Sequence, residues 1–188
     1  MKYDKSLLRK KFIKKRTEKH LKHKKFNFSL IFSLINKHFY KKKITIAGYY
    51  PSNYEVNILK FLETASKRKF KILLPVIKSS NTMCFKQWFF KEPLYLNKFG
   101  IPEPKNLKKE IVPDVVIVPL VAFDKNLNRL GYGKGYYDKI LSKINKINKN
   151  TISLGIAYSF QRCKAIPAEK HDFELDYIFT EQGIISSN

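Results

Sequence analysis

Gly131, Gly133 and Gly135 stand at alternate positions in the run Asn128–Asp138, among Arg129, Lys134, Asp138, Tyr132, Tyr136 and Tyr137. Glycine lets backbone N–H groups converge on one point, and such a nest opening a helix attracts an anion. Arg129 and Lys134 are donor-only cations that can clamp phosphate oxygens. The pattern therefore reads as a phosphate cradle, with a tight, ligand-free connection as the competing reading. It is not a Walker A loop, because Gly135 rather than Ser or Thr follows Lys134. It is not a dinucleotide fingerprint either, because the third glycine comes only two residues after the second. Asp138 falls in the first turn of the next helix. There a carboxylate complements the helix dipole or ligates Mg²⁺, and the residues alone favour the dipole. The three tyrosines serve equally as packing or as ring-stacking groups.

Elsewhere the chemistry is thinner. Lys5 and Arg9 lie one helical turn apart, as a cationic pair or a solvated face. Ser52-Asn53-Tyr54-Glu55 is a capping-box pattern, which accounts for Glu55 by local structure. His171-Asp172 lies in a loop, and His20, His23 and His38 show no metal spacing. Cys84 and Cys163 are isolated, so a zinc site is not expected and reduced thiols are.

These groups need elements to position them. The apolar run Val115–Phe123 reads as one central parallel strand feeding the glycine loop, and a helix follows over Tyr136–Ile144. Leu7, Leu8 and Phe12 predict an amphipathic helix from about Asp4 to His20. Leu30, Ile31, Leu34 and Ile35 predict another over Ser29–His38, with Ser29 as its N-cap. Strands are expected over Lys43–Tyr50, Phe70–Val76, Thr82–Phe90, Thr151–Tyr158 and Leu175–Thr180. A helix should run from the capping box to about Ser66. Glu92–Pro113 has four prolines and reads as an irregular crossing loop. Alternating strands and helices predict an α/β fold: a central, largely parallel sheet flanked by helices, Rossmann-like and three-layered, in a single domain. Residues 1–43 form a basic N-terminal helical segment and 44–188 the α/β core.

The chain has 188 residues, 44% hydrophobic, enough for one globular core. Its formal charge of +23 suits nucleic acid or an anionic small molecule. Only five of the 38 basic residues are arginine, and Asn, Ile, Phe and Tyr abound, which is the composition of AT-rich coding sequence. That origin accounts for the larger share of the charge. No apolar signal stretch opens the chain and no apolar run approaches membrane-spanning length, so a cytoplasmic protein is expected.

The order of these signals resembles the 5-formyltetrahydrofolate cyclo-ligase family. The similarity runs from Lys5-Ser6-Leu7-Leu8-Arg9 through Tyr54-Glu55-Val56, Leu74-Pro75-Val76 and Phe99-Gly100-Ile101-Pro102-Glu103-Pro104. It continues over Val118–Asp124 and Arg129–Asp138 and ends at Pro167–Asp172. The resemblance implies ATP- and Mg²⁺-dependent conversion of 5-formyltetrahydrofolate to 5,10-methenyltetrahydrofolate, through phosphorylation of the formyl oxygen. By the same resemblance Lys5, Ser6, Leu7, Leu8, Arg9 and the loop Arg129, Leu130, Gly131, Tyr132, Gly133, Lys134, Gly135, Tyr136 and Tyr137 bind ATP. Arg9, Tyr50, Glu55 and Tyr132–Tyr136 contact the folate, Arg129 and Lys134 are catalytic, and Asp138 and Asp172 hold Mg²⁺. Lys134 stands where many relatives have glycine. The expectation is a monomer acting on a small, polyglutamylated or monoglutamylated folate, with no nucleic-acid or membrane partner. Two other classes compete. A basic nucleic-acid-binding protein lacks a readout motif here. A nicotinamide-dependent enzyme would need other glycine spacing and a downstream acid.

Overall fold

The computed structural model describes residues 4–22, 25–40, 43–79, 82–105 and 109–186. The N-terminal part holds helices α1 (Lys5–Lys19) and α2 (Ser29–His38), strand β1 (Thr45–Ala47) and helix α3 (Leu59–Lys67). Strands β2 (Lys71–Ser79), β3 (Thr82–Gln87), β4 (Tyr95–Leu96), β5 (Pro102–Glu103), β6 (Val115–Pro119), β7 (Ala122–Phe123) and β8 (Arg129–Leu130) follow. The chain continues with helix α4 (Tyr136–Ile147) and strands β9 (Ile152–Ile156), β10 (Tyr177–Thr180) and β11 (Gly183–Ser186).

Seven strands form one sheet in the order β11-β10-β9-β6-β1-β2-β3. The five inner strands pair in parallel, and β11 and β3 close the edges antiparallel. The apolar alternation along β6 sorts the layers. Val115 and Ile117 pack with Ile31, Phe32 and Ile35 of α2 and Phe61, Leu62 and Ala65 of α3. Val116 and Val118 face Ile140, Leu141 and Ile144 of α4. The α/β, three-layered, mostly parallel expectation holds.

Four local expectations are corrected. The apolar run Val115–Phe123 is not one strand. Pro119, which has no N–H to donate, ends β6, and β7 pairs instead with β8 in a separate hairpin. The hairpin residues Ala122 and Leu130 are buried against Phe12 of α1 and Ile166, so the run was apolar for burial under α1 rather than for strand continuity. Ser29 is the first helical residue of α2, not its cap; Asn27 Oδ1 accepts from its backbone N–H at 3.3 Å and its hydroxyl at 2.6 Å. Ser52 and Glu55 make only one bond of a capping box, Ser52 N to Glu55 Oε2, while the Glu55 N–H goes to the Ser52 carbonyl of a turn, and no helix starts here. Asn53 and Tyr54 between them have φ of 47° and 60°, and two left-handed residues turn the chain instead of starting a right-handed helix. The helix α3 waits until Leu59, whose N–H is capped by Asn57 Oδ1 at 3.0 Å. Glu92–Pro113 is not wholly irregular, since β4 and β5 pair within it.

Candidate active site

β1 leads through α3 to β2 on one side, and its sheet neighbour β6 leads through α4 to β9 on the other. The helices lie on opposite faces, so the strand order reverses between β1 and β6. The crevice beyond the carboxyl ends of two such strands is where open α/β sheets bind ligands. Tyr49, Tyr50 and Glu55 follow β1 there, and the β7–β8 hairpin and the glycine loop follow β6.

Buried Asp124 builds the hairpin turn. It accepts from the N–H groups of Asn126 (2.9 Å) and Asn128 (3.1 Å), from Asn128 Nδ2 (3.1 Å) and from the N–H of Ile166 (2.9 Å). β8 then delivers the glycine loop. Gly133 and Gly135 have φ of 91° and 67°, a region that side-chain-bearing residues rarely adopt, and Gly135 is the N-cap of α4.

α1 lies against this loop. Lys5, Arg9, Phe12 and Arg16 are spaced four, three and four, which keeps them within about 60° of one another around a helix. Arg9 Nε donates to Gly131 O at 2.9 Å, and a Cβ on Gly133 would come within 3.3 Å of Arg9 Cζ. Lys5 Nζ reaches Asp172 Oδ2 at 2.7 Å and Glu169 Oε1 at 3.0 Å. Burial works against the Lys5 ammonium, but these two carboxylates outweigh it and raise its pKa. Ser6 N donates to Asp4 Oδ1, Leu8 packs under the hairpin, and Leu7 is exposed.

Arg129 is buried and spans the far wall. It donates to Phe173 O at 2.5 Å and to Asp138 Oδ1, which also accepts from Phe173 N at 3.1 Å. Burial pulls the Arg129 pKa down and Asp138 and Asp172 push it back. Asp172 Oδ2 takes both Lys5 and the Glu169 N–H, at 2.8 Å. Among the described residues, each of these carboxylates therefore leaves its other oxygen without a hydrogen-bond partner. No group of three or more His, Cys, Asp or Glu side chains among those residues could hold a metal ion unaided. Two carboxylates with spare oxygens suit Mg²⁺, which completes its shell with phosphate oxygens and water. Lys134 is exposed and makes no hydrogen bond or ion pair among the described residues. Tyr136 packs edge-on to Phe99, with ring centroids 6.4 Å apart, and the buried Tyr137 hydroxyl has no hydrogen-bond partner among the described residues.

Glu55 sits at the other end of the loop. Its Oε1 accepts from the Tyr132 hydroxyl at 2.9 Å and its Oε2 from Ser52 N at 2.9 Å. Burial pushes the Glu55 pKa up, and Ser52, Arg16 and Tyr132 partly offset that. Glu55 also borders a cavity of about 830 Å³ with Phe26, Phe28, Phe32 and Tyr158 among its walls; no glycine-loop residue lines it. Tyr50 is half-buried beside this turn.

Two contributors were missed from sequence. Arg16 is buried and donates to Leu120 O at 3.1 Å and to the Tyr132 hydroxyl. Its register with Lys5, Arg9 and Phe12 was the available signal, obscured by the surrounding lysines. Asp124 had an Asx-turn signal in its Asp-Lys-Asn-Leu-Asn context.

A family model described as the 5-formyltetrahydrofolate cyclo-ligase family matches residues 1–181. The chain is 34% identical to the 5-formyltetrahydrofolate cyclo-ligase of Haemophilus influenzae over 136 residues, covering 69% of this chain and 72% of that protein. It is 31% identical to the Mycoplasma pneumoniae protein of the same name over 185 residues, covering 95% and 99%. The fold is similar to the NMR structure of Aquifex aeolicus 5,10-methenyltetrahydrofolate synthetase: TM-score 0.78, 30% identity, covering 97% of this chain and 92% of that one. No helix among the described residues is long and apolar enough to cross a membrane.

Proposed function

The chain belongs to the 5-formyltetrahydrofolate cyclo-ligase family, and we propose that it converts 5-formyltetrahydrofolate to 5,10-methenyltetrahydrofolate with ATP, releasing ADP and phosphate. One observation carries this reading. Lys5 and Arg9 of α1, the glycine loop, two carboxylates with spare oxygens and buried Glu55 converge beyond the ends of β1 and β6. A phosphate cradle thus stands beside a buried acceptor suited to a heterocycle bearing N–H groups.

The N5 lone pair makes the formyl oxygen nucleophilic. That oxygen bonds to the γ-phosphorus as the bond to the bridging oxygen of ADP breaks. N10 then attacks the activated formyl carbon and loses its proton, the carbon–oxygen bond breaks, and phosphate leaves. Neither step needs a protein nucleophile, and no Ser-His-Asp or Cys-His arrangement is called for. The protein's work is positioning and charge stabilisation. Lys5, Arg9 and the loop N–H groups hold the triphosphate, and Lys134, unpaired among the described residues, lies on the same loop to meet charge developing on the γ-phosphate. Arg129 keeps Asp138 in place. Glu55 accepts from pterin N–H groups beside Tyr50 and Tyr132. Asp138 and Asp172 would hold Mg²⁺, which supplies positive charge to the phosphates.

The test is the absorbance of methenyltetrahydrofolate formed from 5-formyltetrahydrofolate, with and without ATP and Mg²⁺. Formation should need both; no formation, or formation indifferent to ATP, refutes the proposal.

A further inference from the structure

We infer that Arg16 is a positioning residue for the folate: it orients the Tyr132 hydroxyl toward Glu55 and keeps that carboxylate ionised and available to the substrate. The inference rests on the reading that Glu55 accepts from the pterin.

Arg16 is 1% exposed, on the inward face of α1, where its neighbour Phe12 is a plain core residue. Burying a guanidinium is costly unless its charge is answered. Among the described residues no carboxylate pairs with Arg16 directly, and its Nε is buried without a partner. Its NH1 donates to Leu120 O at 3.1 Å, at the end of β6. Its NH2 donates to the Tyr132 hydroxyl, and its Cζ stands 5.6 Å from that ring's centroid. Arginine has no acceptor, so the phenol oxygen must accept here. The phenol has one proton, and it goes to Glu55 Oε1 at 2.9 Å. The order Arg16 to Tyr132 to Glu55 is therefore set by donor count alone. Each bond in such a chain polarises the next, which favours negative charge on Glu55.

No other group does the same. Glu55 also faces Tyr49, whose hydroxyl donates to Val56 O at 2.8 Å, and Tyr137 of α4. Across the cavity stand His20, Lys25, Lys60, Arg68 and Tyr158. Of these neighbours and Arg16, only Arg16 is a buried permanent cation. It thus differs in task from Lys5 and Arg9, which meet the phosphate end of the site from the same helix face.

The test compares Arg16→Met, Arg16→Lys, Tyr132→Phe and Glu55→Gln in the full chain. The readouts are folate binding, kcat and KM for each substrate, and pH profiles. Arg16→Met should raise the folate KM about 10-fold, as for loss of a hydrogen bond to a charged group. The KM for ATP should move less than about twofold. The acid limb of kcat/KM for folate should rise by about one pH unit, the size expected when a carboxylate loses a cationic neighbour. Arg16→Lys should recover part of the loss. Arg16→Met should add less than about twofold in a Tyr132→Phe background, because the two act in series. Additive effects, or an unchanged folate KM and pH profile in Arg16→Met while Glu55→Gln is impaired, overturn this inference alone. Unimpaired folate binding by Glu55→Gln overturns the reading beneath it as well. If Arg16→Met does not fold, Arg16→Lys and Tyr132→Phe carry the same comparisons.

Discussion

Replacing Arg129 by methionine keeps most of its buried stem and removes the guanidinium. The side chain is 4% exposed and its partner Asp138 23%. Removing one member of a buried ion pair costs about 3–5 kcal/mol, because the other charge is left unanswered. Asp138 keeps some water and its 3.1 Å bond from Phe173 N, which places the cost near the low end, about 3 kcal/mol. Against a total stability of about 5–15 kcal/mol the chain should still fold. At this length each kcal/mol lowers Tm by about 2–4 °C, so a fall of about 6–12 °C is expected. Thermal unfolding with and without ATP and Mg²⁺ measures it. Nucleotide stabilisation should shrink too, since Asp138 loses the contact that orients it. Arg129→Met/Asp138→Asn should cost about 1–3 kcal/mol less than the sum of the single changes. A fall under about 2 °C with normal nucleotide stabilisation would show that this pair neither holds the loop nor presents Asp138.

Gly133→Ala should raise the ATP KM and cost about 1–2 kcal/mol, since its φ of 91° disfavours a Cβ that would also press within 3.3 Å of Arg9 Cζ. An unchanged ATP KM would mean that Arg9 does not meet the nucleotide. Glu55→Gln should gain stability relative to the native chain as pH rises. Burial holds the Glu55 pKa above its ordinary 4.5, despite Ser52, Arg16 and Tyr132. The folded chain therefore binds this proton more tightly than the unfolded one, and the native chain loses stability as pH climbs through the raised value. Urea midpoints from about pH 4 to pH 7 should show the gap widening; a constant gap contradicts the assignment.

The parts of the site that read directly from the sequence were local. Alternating glycines at 131, 133 and 135 marked a loop opening a helix, and the structure puts Gly133 and Gly135 at positive φ there, with Gly135 as the N-cap. Apolar periodicity located α2 to within a residue, and α4 began where expected. The same local reasoning failed where distant packing intervened. The run Val115–Phe123 was apolar throughout, yet Pro119 and the cover provided by α1 divided it between two sheets. Ser52 and Glu55 carried a helix-start pattern, but left-handed Asn53 and Tyr54 closed a turn that left one Glu55 oxygen for Tyr132.

The residue order was sufficient for an α/β layout and a glycine loop opening a helix, because turn chemistry and hydrophobic period act over a few neighbouring residues. It could not pair Lys5 with Asp172, 167 positions away, or Arg9 with Gly131, 122 away. Those meetings follow from a strand order that reverses between β1 and β6 and from α1 burying Phe12 against the hairpin. Arg16 shows the difference most clearly. Along the chain it is one cation among many on a basic helix. Folded, it is buried with no direct counter-ion among the described residues, and the hydroxyl it holds is the one that reaches Glu55.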